Sequence, residues 1–221
     1  MQKKNWLKRV AFAVVVLGSV ASTLAQSVIY DNTTTKANQN YAAGNGVEFG
    51  NEVIIGPGGS QGTINSFSFE YVAPTLVGTA TADVRIYQND GTLATSDPRS
   101  ARPSTLLYNS GNFTLPASGA NGSTVHLNSL NINVPDHFTW TVTFTGASTP
   151  VGLSVYGPPS VGNVFADMWQ NNGSGWTLQA SGASQLTFGA QIVGTPEPGT
   201  IALGAMGLIA VGGMLRKRKA A

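Results

Sequence analysis

The sequence predicts an all-β fold, an antiparallel β-sandwich of jelly-roll type flanked by an N-terminal signal peptide and a C-terminal transmembrane helix. Three observations predict it. Apolar and polar residues alternate with period two in several segments, as in half-buried strands. Clusters of Gly, Pro, Asn, Asp and Ser punctuate the chain between those segments. No segment between Gln26 and Thr195 carries a helical period.

The strands are taken in order. Residues 27–31 open the body. Ile64, Phe67, Phe69 and Tyr71 are the apolar members of the next strand, with Ser66, Ser68 and Glu70 on its other face. Val84 and Ile86 alternate with Asp83, Arg85 and Tyr87. A strand over 104–108 follows. Val125 and Leu127 give way out of phase to Leu130, Ile132 and Val134, so a bulge or strand break near residue 129 is expected, which keeps both halves facing the core. Phe138, Trp140, Val142 and Phe144 interleave with Thr139, Thr141, Thr143 and Thr145, all good strand formers. The remaining strands are expected over 151–156, 161–169, 175–179 and 185–193. Asn171 to Gly175, between Trp169 and Trp176, reads as a hairpin loop. The segment containing Glu48 and Glu52 is rich in Gly and Asn and reads as a solvated loop.

Charge is distributed unevenly. Of the twelve Lys and Arg, four lie in the first nine residues and four at Arg216, Lys217, Arg218 and Lys219. Between Gln26 and Thr195 there are four basic residues against nine acids, a net charge of −5. A basic stripe able to neutralise phosphates is missing from the body, so nucleic acid is not an expected partner. There is no Cys, which excludes disulfides, thiolate metal sites and a lipoprotein anchor.

The two ends are targeting segments. Residues 1–25 have the charged start, the apolar core from Val10 to Val20 and the small residue before Gln26 of a secretory signal peptide. At the other end Pro196, Glu197 and Pro198 precede an uncharged apolar run from Ile201 to Leu215, which with Gly199 and Thr200 reaches the lower length limit for a membrane-spanning helix. The basic cluster after it orients that helix with the basic end in the cytoplasm and the body outside. The two prolines keep the preceding segment extended and open to a processing enzyme.

In this order, Pro196-Glu197-Pro198, apolar span and basic stub resemble the PEP-CTERM sorting signal of Gram-negative bacteria. The resemblance covers 196–221, about one eighth of the chain. It implies transient anchoring in the inner membrane, recognition by an exosortase, cleavage near the motif and delivery to the cell envelope, surface or extracellular matrix. Proteins with this signal are associated with bacteria that make extracellular polysaccharide. The body, 26–195, resembles those of a group of PEP-CTERM proteins with β-sandwich bodies, through Ser66 to Tyr71, Val84 to Gly91 and Phe138 to Val142. That resemblance implies architecture alone.

Residues that carry chemistry are few. Trp169 and Trp176 flank a polar loop, where they can stack on sugar rings while Gln170, Asn171 and Asn172 bond hydroxyls; the competing reading makes both core residues. Trp140 is a core residue by its neighbours. His126 falls on a polar face, and His137 follows Pro135 and Asp136 in a turn. Glu70 is expected to face solvent. Gly-x-Ser-x-Gly, His-Glu-x-x-His and phosphate-loop motifs are absent. Asp90 beside Asn89 and Gly91, or Asp31 beside Asn32, could supply oxygen ligands for calcium, but turn formation is the better account of both and no complete calcium loop exists. No cofactor and no metal site are therefore expected. Four glycosylation sequons occur, at Asn32, Asn112, Asn121 and Asn172, as chance allows in so Asn-rich a chain. The expected function is that of a non-catalytic surface or matrix protein in contact with polysaccharide; the alternative is a secreted sandwich enzyme acting on glycans.

Overall fold

The structure is a computed structural model that describes residues 26–56, 61–73, 79–95, 101–116, 118–147, 149–180 and 186–196. Residues 1–25, read as a signal peptide, Glu197, Pro198, the apolar run 201–215 and the basic cluster 216–219 lie outside the described residues. Among the described residues there is no helix, and the strands in chain order are β1 (Ser27–Asp31), β2 (Lys36–Tyr41), β3 (Glu48–Ile54), β4 (Gly62–Ala73), β5 (Thr81–Gln88), β6 (Leu106–Asn109), β7 (Phe113–Thr114) and β8 (Gly119–Leu127). Then come β9 (Ile132–Val134), β10 (His137–Thr145), β11 (Gly152–Tyr156), β12 (Asn163–Val164), β13 (Asp167–Asn171), β14 (Trp176–Ala180), β15 (Thr187–Phe188) and β16 (Ala190–Pro196).

They form two antiparallel sheets in a sandwich-like arrangement. The first runs β1-β16-β4-β11-β15, with β2 also on β11 and β8 and β9 also on β4. The second runs β14-β13-β3-β10-β5-β6, with β12 also on β3 and β7 also on β5. Trp140 of the second sheet meets Phe67, Phe69 and Phe188 of the first, with ring centroids 5.2, 6.2 and 6.4 Å apart. The alternating residues read from the sequence supply this shared core: Ile64, Phe67, Phe69 and Tyr71 from β4, Val84 and Ile86 from β5, and Phe138, Trp140, Val142 and Phe144 from β10. Burying each large apolar side chain contributes roughly 1.5–3 kcal/mol.

The expected phase slip lies between β8 and β9. Leu127 pairs Phe67 and Ile132 pairs Ile64, so five steps on one strand match three on the other. Ser129 absorbs the excess with a φ of 58°. Asn171 to Trp176 closes the β13–β14 hairpin as expected.

The strand expected over 161–169 is two, β12 and β13, and β2, β3 and the two-residue β7 lie where no strand was expected. β2 is polar, with Tyr41 its one usual strand former; its ladder to β11 holds it, with an irregularity between Val155 and Tyr156 and Asn38 at a φ of 55°. β3 is not a solvated loop. It is a central strand between β10 and β13, and Glu48 and Glu52 are only 6% and 3% exposed. Gly50 explains why its composition misled: a Cβ there would run into the carbonyl oxygen of Trp140 on β10. Glycine inside a strand marks such a close approach of two backbones.

Candidate functional site

In an antiparallel sheet with one face on the core, the other face ordinarily meets water. The centre of the second sheet departs from this. In β3, β5 and β10 residues of both faces are buried. Ladder pairing places Glu48, Gly50 and Glu52 of β3 on the outward face with Thr143, Thr141 and Thr139 of β10 and with Asp83, Arg85 and Tyr87 of β5. Trp169 joins the Gly50 row from β13. This outward face is polar and aromatic, and Thr139 and Thr141 on it have no exposed surface.

Its cover comes from the two sides. Trp176 on β14 and Tyr87 on β5 make an edge contact, with ring centroids 5.4 Å apart. Three strands lie between theirs in the sheet, so the sheet curls over its own outward face.

Two polar clusters occupy the covered face. In the first, Glu48 Oε1 accepts a hydrogen bond of 2.7 Å from Thr141 Oγ1, and Glu48 Oε2 lies 3.1 Å from Arg85 Nη1. Arg85 Nη2 reaches Asp83 Oδ2 at 2.7 Å. One guanidinium thus serves two carboxylates. Burial, with the nearby Glu48 charge second, pushes the Tyr87 hydroxyl up to about 12.

The second cluster centres on Glu52. Its Oε2 accepts a long hydrogen bond of 3.4 Å from Trp169 Nε1. Its Oε1 lies 4.0 Å from His137 Nε2, beyond hydrogen-bond distance. Asp136 Oδ1 accepts the His137 backbone N–H at 3.0 Å and stands 3.1 Å from His137 Nδ1. The chain bends at Asp136, and this bend brings two consecutive side chains together that a regular strand would send to opposite faces. Burial pushes the Glu52 carboxyl up to about 7; the Asp167 charge adds to this, while hydrogen bonds from Trp169 and Asn89 oppose it. His137, 44% exposed, sits at the open end of the cluster. Thr139 Oγ1 donates to Asn89 Oδ1 at 2.8 Å beside it.

The residues singled out from the sequence fall in different places. Trp169 is wholly buried and Trp176 is half-buried, so they do not form a pair of exposed platforms. Only Trp176 offers surface to a ligand. Pro196 ends β16 in extended backbone opposite Gly62. Glu70 bonds Lys36 Nζ at 3.0 Å on the first sheet, and His126 is exposed on that sheet beside Ser68. Asp90 accepts from Thr105 N and Oγ1 at 2.9 and 2.6 Å, and Asp31 from Thr33 N and Oγ1 at 3.0 and 2.7 Å, so both acids hold turns. Among the described residues no group of three or more acid or His side chains has the arrangement of a metal site.

Glu48, Glu52, Arg85 and Tyr87 are the members of the site that the sequence reading missed. Their signal was the alternation of Phe49, Asn51 and Val53 with Glu48, Gly50 and Glu52, a strand pattern obscured by its Gly and its acids. No protein-family model matches the chain, and no curated protein matches it.

Proposed function

We propose that this is an exported surface or matrix protein that an exosortase sorts by its 196–221 tail, and that its body holds polysaccharide on the outward face of the second sheet. Export follows from the signal-peptide pattern of residues 1–25, and anchoring through 201–215 and release near Pro196, Glu197 and Pro198 from the resemblance of the tail. The body is of jelly-roll type in this reading, supported by the six strands of seven residues or more, β3, β4, β5, β8, β10 and β16, falling alternately in the second and first sheets.

The observation that carries the glycan reading is the covered outward face. The partly exposed side chains of Arg85 and His137 offer hydrogen-bond partners for hydroxyls at the edge of this face, and half-buried Trp176 offers an aromatic surface at the rim. Sites for small polar ligands combine these features. The test is binding of full-length protein, purified in mild detergent, to a panel of polysaccharides. Retention on at least one, weakened by Trp176→Ala, supports the reading; no retention on any refutes it.

One observation favours a second reading, a glycan-active enzyme. Glu52 is a buried carboxyl that holds a proton near neutrality, next to a histidine oriented by Asp136. Perturbed acids of this kind gather at catalytic centres. Turnover of a bound glycan, abolished by Glu52→Gln without loss of folding, would establish it.

A further inference from the structure

We propose that, while the tail is anchored, the end of the sandwich at which β16 stops rests on the lipid surface, with Val28, Leu93 and Leu106 as its lipid contacts. This rests on the anchoring part of the reading above and adds a membrane-facing surface of the body.

The ladders gather several strand ends there. Pro196 closes β16 opposite Gly62, and Ser27 opens β1 opposite Gly194. Gly62 also pairs with Val134, the last residue of β9, and β10 then starts at His137 opposite Ile54, the last residue of β3. The two sheets are joined at this end, where Ile55 N donates to the Asp136 carbonyl and Gly56 N to the Ile29 carbonyl. Gln88, the last residue of β5, pairs with Phe138, so β5 stops at the same end. Past it the chain continues as a ribbon: Ser104 N donates to the Gln88 carbonyl, Gly91 N to the Arg102 carbonyl, and Leu93 bridges to Ala101.

Among the described residues the exposed large apolar side chains are Leu93, Leu106 and Val28, at 49, 48 and 37%. Such residues scattered singly are ordinary on a protein surface. These three are not scattered. Leu93 lies on the ribbon, Leu106 opens β6 opposite Tyr87, and Val28 is the second residue of β1. All three belong to the end where Pro196 leaves the fold.

Chain length decides which end meets lipid. Pro196 is five residues from Ile201, where the apolar run begins, and that stretch spans at most about 18 Å when fully extended. The headgroup layer takes up roughly 5–8 Å of it. The nine residues of β10 alone measure about 30 Å, so the opposite end of the sandwich stays clear of the bilayer. So short a tether holds the contact at an effective concentration on the order of millimolar, at which weak apolar contacts are populated. Asp90 and the half-exposed Asp136 lie at the same end and must keep their water. The contact is therefore shallow, and apolar side chains rather than opposite charge carry it.

The chain has no Cys, so one introduced thiol takes a label uniquely. Full-length protein is reconstituted in phosphatidylcholine vesicles that contain a lipid with a nitroxide quencher just below the headgroup. A fluorophore is placed on Leu93→Cys, on Ser174→Cys in the β13–β14 hairpin at the opposite end, or on Ala210→Cys in the apolar run. The expected result is at least twofold stronger quenching at position 93 than at position 174. High salt or added phosphatidylglycerol leaves that difference unchanged, and Val28→Ser with Leu106→Ser, folding checked by thermal melting, reduces it at least twofold. Equal quenching at positions 93 and 174, loss of the difference in high salt, or indifference to the double change overturns the apolar contact, while quenching at position 210 leaves anchoring in place. An absence of quenching at position 210 overturns both.

Discussion

Tyr87 and Trp176 are in edge contact at 5.4 Å and 77° although β10, β3 and β13 lie between their strands. The contact closes the second sheet over its own polar face. It also separates the roles of two tryptophans that the sequence sets on either side of one loop.

Trp169→Ala is expected to cost roughly 3–5 kcal/mol of stability, because a wholly buried ring leaves a cavity. Trp176→Ala is expected to cost about 1 kcal/mol, the size of an aromatic edge contact at a half-buried site. Denaturant unfolding of the two variants measures the difference. Equal losses would mean that Trp176 is a core residue and the cover is not separable from the fold.

Gly50 gives a second expectation. Any side chain there would push β3 away from the Trp140 carbonyl on β10. Gly50→Ala should therefore destabilise by about 3 kcal/mol or more, in the range of severe overpacking. A thermal melt near that of the parent protein would show that the two backbones separate easily.

Glu52 makes stability depend on pH. Its carboxyl is raised from 4.5 to about 7 in the folded state, so between these values the folded protein binds the extra proton. Stability from this group is complete below about pH 4.5 and is lost as pH rises through about 7, a fall of about 3 kcal/mol. His137 and Asp167 lie next to the same carboxyl. Glu52→Gln should flatten this part of the profile and be the more stable protein at pH 8. The comparison is made by urea unfolding at pH 5, 6, 7 and 8, and an unchanged slope in the variant would remove Glu52 as its source.

The core was legible in the sequence because period-two alternation records one wet face and one dry face. β4 and β10 show it, as Phe67, Phe69 and Tyr71 or Phe138, Trp140 and Val142 alternate with polar residues. The threonine row of β10 was legible as a face but not as a buried one. Its burial depends on Tyr87 and Trp176 approaching from strands 89 residues apart in number, information that no local pattern holds. β3 was missed for the same reason: Glu48 and Glu52 are tolerable inside only because Arg85, Thr141 and Trp169 arrive from other strands. β2 was missed because its backbone ladder, not its side chains, makes it a strand.

The tail yields an expectation of its own. Protein recovered from the surface of the exporting cell should end near Pro196, Glu197 and Pro198, having lost the apolar span and Arg216 to Lys219. Intact mass with C-terminal peptide mapping measures this. A surface-located form that still extends to Ala221 would mean a permanent anchor.

The most direct test of the covered face is a binding titration of full-length protein with the polysaccharide that it retains best, for parent, Trp176→Ala and Arg85→Ala. Both changes alter the covered face, one at its rim and one at its ion cluster. The reading requires saturable binding by the parent and at least tenfold weaker binding by each folded variant, a loss of about 1.4 kcal/mol or more. Saturable binding that neither variant weakens would place the ligand elsewhere on the molecule and contradict it.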